Sequence, residues 1–68
     1  MIVCEKVTVD DNFWLVQWDD QNEAEQTQRA ETLLELTESG FTVNVEPHPV
    51  VGPGDEPATG WADLLEIV

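Results

Sequence analysis

The chain has 68 residues, enough for one domain near the lower end of what folds unaided and too few for a second domain or a deep catalytic cleft. Fifteen acidic residues against Lys6 and Arg29 give a formal charge of −13, which excludes conventional binding to a phosphate backbone or an anionic membrane. A hydrophobic content of 41% with three tryptophans excludes a disordered acidic tail, which lacks the apolar surface needed to collapse.

From the N-terminus, IVCEKVTV (Ile2 to Val9) is rich in β-branched residues and predicts a strand. Val3, Val7 and Val9 share one face, and Ile2, Cys4, Lys6 and Thr8 share the other. Asp10, Asp11 and Asn12 make a polar turn of a kind that tolerates left-handed backbone. FWLVQW (Phe13 to Trp18) then completes a β-hairpin, with Trp14, Val16 and Trp18 on one side and Phe13 and Leu15 on the other. Apolar on both sides, this second strand is expected at the centre of the sheet.

A helix follows over about Asn22 to Ser39. Asp19, Asp20 or Asn22 supplies the cap, Glu23 and Glu25 suit the positive end of its dipole, and Gly40 stops it. At 100° per residue, Ala30, Leu33, Leu34 and Thr37, with Thr27 nearby, are expected to pack inward. Glu31, Glu35 and Glu38 then point outward, and Glu25 and Gln28 continue that surface. FTVNVE (Phe41 to Glu46) alternates as a third strand with Phe41, Val43 and Val45 inward.

All four prolines and three of the four glycines fall between Pro47 and Gly60, which predicts a long loop. Trp61, Leu64, Leu65 and Val68 have helical spacing, although LLEIV also fits an edge strand. The expected fold is therefore a single α+β domain spanning residues 1–68. It is a small, mostly antiparallel sheet in the order β-β-α-β plus a short C-terminal helix or edge strand, with one amphipathic helix packed on one face.

Chemistry is sparse. Cys4 is the sole cysteine, so no internal disulfide forms, and a reducing cytoplasm is the expected setting. The N-terminal residues lack the pattern of a leader, and no apolar run approaches the ~18 residues of a membrane span. His48, the only histidine, lies 44 positions from Cys4 between two prolines, which predicts a solvated loop side chain and no metal site. DDQNEA (Asp19 to Ala24) lacks the glycine and ligand spacing of a calcium loop. GPGDEP (Gly52 to Pro57) follows no phosphate-loop pattern, and its two acids repel phosphate. No catalytic residue, cofactor or metal ligand is assigned, and the chain reads as non-enzymatic. Trp14 and Trp18 are expected in the core, with Trp61 either core or contact surface.

The acidic surface is the remaining signal. Carboxylates three and four positions apart on a helix lie ~5–6 Å apart at Cβ, and their tips spread towards the spacing of successive phosphates. Glu25, Glu31, Glu35 and Glu38 are the expected contact residues, extended by Asp19 and Asp20 and by Asp55 and Glu56 in the loop. The expected partner is a basic protein, such as a nucleic-acid-binding protein or nuclease complex, and neither nucleic acid itself nor a membrane. In size, charge and an acidic helix over a small sheet, the chain is similar in kind to the small acidic inhibitors of phages and mobile elements, including anti-restriction and anti-CRISPR proteins. That resemblance implies a DNA mimic blocking a basic groove in a host cytoplasm. Two other readings fit the composition: a halophile or phage accessory subunit whose acidity is only solvation, and an antitoxin-like partner of a basic toxin.

Overall fold

A computed structural model describes residues 1–50 and 59–68. Three strands and two helices follow in the order β1 (Ile2–Val9), β2 (Asn12–Asp19), α1 (Glu23–Glu38), β3 (Val43–His48) and α2 (Trp61–Ile67). The sheet is wholly antiparallel with strand order β2-β1-β3, so the fold is α+β. The C-terminal segment is a helix.

The N-terminal strand, and not β2, takes the centre. Val7 pairs with Trp14 on one side and with Val45 on the other. β2 is apolar on both sides for a different reason. Its Trp14, Val16 and Trp18 face the helices, whereas Phe13 and Leu15 sit on the face that no described element covers. Both edges are blunted. Pro47 lies in the outer strand β3, the position where a missing N–H is tolerated. Along β2, Thr59 forms a parallel bridge opposite Val16, donating to the Leu15 carbonyl at 2.9 Å and accepting from the Gln17 N–H at 3.0 Å.

The hairpin turn is Asp10–Asp11, with Asp10 in the left-handed region at φ 53°. Its carboxylate accepts the Thr42 N–H at 3.0 Å and its own N–H donates to the Thr42 carbonyl at 2.9 Å, which ties the turn to the entry of β3. The strand then runs two residues past Glu46 to His48, so the expected loop begins later than Pro47.

Val7, Val9, Val16, Leu36, Trp61 and Leu64 form the buried core. Trp14, Trp18, Leu33, Phe41, Val43, Val45 and Leu65 are half-buried against it. α2 wedges between α1 and β2, and Trp61, only 3% exposed, is a core residue. Among the described residues no helix is long and apolar enough to cross a membrane.

A carboxylate face on the long helix

The candidate site is built on α1, and both of its ends are fixed. Asn22 is the N-cap, its side-chain oxygen accepting from the N–H groups of Ala24 and Glu25 at 3.0 and 3.3 Å. At the other end Gly40 adopts φ 94°. Its N–H reaches the Thr37 carbonyl, and that of Phe41 reaches the Leu36 carbonyl, the paired bonds of a Schellman stop. A helix pinned at both ends holds its outward side chains in a fixed register.

That register differs from the expected one. Thr32 and Leu36 are buried, with Glu25, Gln28, Arg29 and Leu33 half-buried around them, whereas Thr27, Ala30, Leu34 and Thr37 are exposed. The helix is rotated because polar groups, not leucines alone, are satisfied beneath it. Arg29 donates to both oxygens of Glu5 on β1, at 2.8 and 2.9 Å. Trp18 Nε1 donates to the same carboxylate at 2.9 Å, and the guanidinium lies 5.6 and 5.5 Å from the Trp18 and Trp61 ring centroids. The Arg29 guanidinium holds the Glu5 carboxyl below its ordinary range, and Glu5 in turn raises Arg29. Thr32 Oγ1 donates to the Trp61 carbonyl at 3.3 Å. One signal for this was present in the sequence: Glu5 shares strand parity with Val3, Val7 and Val9, so a carboxylate had to enter the packed face and meet a cation.

The outward face carries Glu31, Glu35 and Glu38, all exposed, with Leu34 at 60% exposure on the same side. Neither cationic side chain of the protein reaches them. Arg29 is held by Glu5, and the Lys6 ammonium lies 4.7 Å from the centre of the Phe13 ring on the far face of the sheet. No basic residue occupies the last turn of α1.

The other expected contact residues fall elsewhere. Glu25 is not on the outer surface; its carboxylate turns back to accept the Asp19 N–H and closes the corner between β2 and α1. Asp19 and Asp20 are not caps. Both engage the terminal amine, at 3.2 and 3.1 Å, and these hydrogen bonds raise the amine, Asp20 contributing more than Asp19. Asp19 also accepts the Gln21 N–H at 3.0 Å, which lowers its carboxyl first, with the terminal amine second. Asp55 and Glu56 lie outside the described residues.

Beside Glu25 is a cleft of about 270 Å³ lined by Gln17, Ala24, Gln28, Gly60, Trp61 and Ala62. Among the described residues the buried Trp61 Nε1 has no hydrogen-bond partner. On the opposite sheet face His48 is a half-buried strand residue, not a solvated loop side chain. Pairing of β1 with β3 brings its Nδ1 to 3.9 Å from Cys4 Sγ, so residues far apart in sequence are neighbours. Burial raises the Cys4 thiol, which opposes thiolate formation. Among the described residues no three His, Cys, Asp or Glu side chains converge as metal ligands.

The geometry thus defines a small α+β scaffold presenting an unneutralised carboxylate row on a capped helix. The chain matches no protein-family model, no curated protein and no solved structure.

Proposed function

We propose that this protein is a non-enzymatic acidic binding module whose α1 face occupies a basic, nucleic-acid-binding surface of another protein, as a mimic of phosphate charge. The observation that carries this reading is that Glu31, Glu35 and Glu38 project from one side of a regular helix while both cations are engaged elsewhere. Glu31 and Glu38 are separated by about 10 Å along the helix axis, so the three carboxylates stand at intervals approaching those of successive phosphates.

Local energetics add support. Glu31 with Glu35, and Glu35 with Glu38, are like-charge neighbours on the helix surface, and Glu38 stands at the negative end of the dipole. Each arrangement opposes helix stability, and local rules of this kind are broken most often where function requires it.

The test is affinity capture from a host lysate at about 0.05 M and 0.5 M NaCl, concentrations that bracket strong and weak screening. Wild type and Glu31→Lys/Glu35→Lys are compared, and the captured protein is then titrated directly against its own nucleic acid. A mimic retains a basic protein only at low salt, loses it on charge reversal and competes with the nucleic acid. A captured partner that binds the double variant equally well removes α1 from the mechanism. A chain that folds only in molar salt supports the solvation reading instead.

A further inference from the structure

We draw no further inference here: the strongest candidate, the cleft between Ala24 on α1, Gln17 on β2 and Trp61 on α2, carries none because the Trp61 Nε1 is enclosed and not open to a ligand in it, and because nothing in the structure shows what covers its Gly60 rim.

Discussion

Arg29 is the residue on which the interior depends. Its guanidinium neutralises Glu5, accepts two tryptophan rings as neighbours and joins the central strand to the helix. Removing it strands a carboxylate whose side chain is only 16% exposed. Arg29→Met is expected to cost about 2–3 kcal/mol by urea denaturation, below the full cost of breaking a buried pair because the arginine is itself partly solvated. Glu5→Met/Arg29→Met should recover most of that loss, since an apolar pair leaves no stranded charge. The pH dependence has a defined sign. Glu5 is held below its ordinary value in the fold, so its contribution is complete above the usual carboxyl range and is lost as pH falls below about 4. In Glu5→Gln that part of the acid transition should be absent; an unchanged acid limb in urea–pH titrations would assign it to other carboxylates.

The ends of α1 and its outer face pull in opposite directions. Gly40 has open space where a Cβ would be, so Gly40→Ala meets no clash and isolates the backbone term alone. Stability should fall by about 1 kcal/mol, the cost of left-handed backbone for a residue with a side chain. Glu38→Lys should do the reverse, raising the thermal midpoint by about 2–4 °C by relieving both the dipole and the Glu35 repulsion. The same substitution should weaken capture of a basic partner, so a variant that is more stable and equally competent in binding argues against a role for Glu38. The contrast also shows what could be read from sequence. The hairpin, the helix with its glycine stop, and the third strand were legible because period-two and turn signals are local. The rotation of α1 was not, because apolar periodicity gives weight to Leu34 and none to Thr32 or Arg29. Their inward positions are set by Glu5 and by the Trp61 carbonyl, which arrive from distant parts of the chain. Placing β2 at the centre failed similarly: two apolar sides signal burial on both, yet Phe13 is left exposed. Within the candidate site, Glu31, Glu35 and Glu38 were legible as one face, whereas the inward turn of Glu25 depended on a backbone donor at Asp19.

At the scale of the whole molecule, most of the described carboxylates lie on the helix side of the sheet or at its turns, while the other face carries Glu46 and Asp19 beside Lys6 and the terminal amine. Self-repulsion should make the fold salt-sensitive, with urea midpoints rising between about 0.05 M and 0.5 M NaCl as screening shortens its range. A midpoint indifferent to salt would mean the carboxylates are too dispersed to repel, and would weaken the case for an ordered row. The placement of the two cations has one more consequence, for proteolysis. Trypsin cuts after lysine and arginine, so this chain offers it only the bonds following Lys6 and Arg29. The first lies in the central strand and the second in the middle of a capped helix, so neither bond is presented to a protease while the fold is closed. Digestion should therefore pass from intact chain to the fragments 1–6, 7–29 and 30–68 without nicked forms accumulating, at a rate that follows the fraction of molecules transiently open.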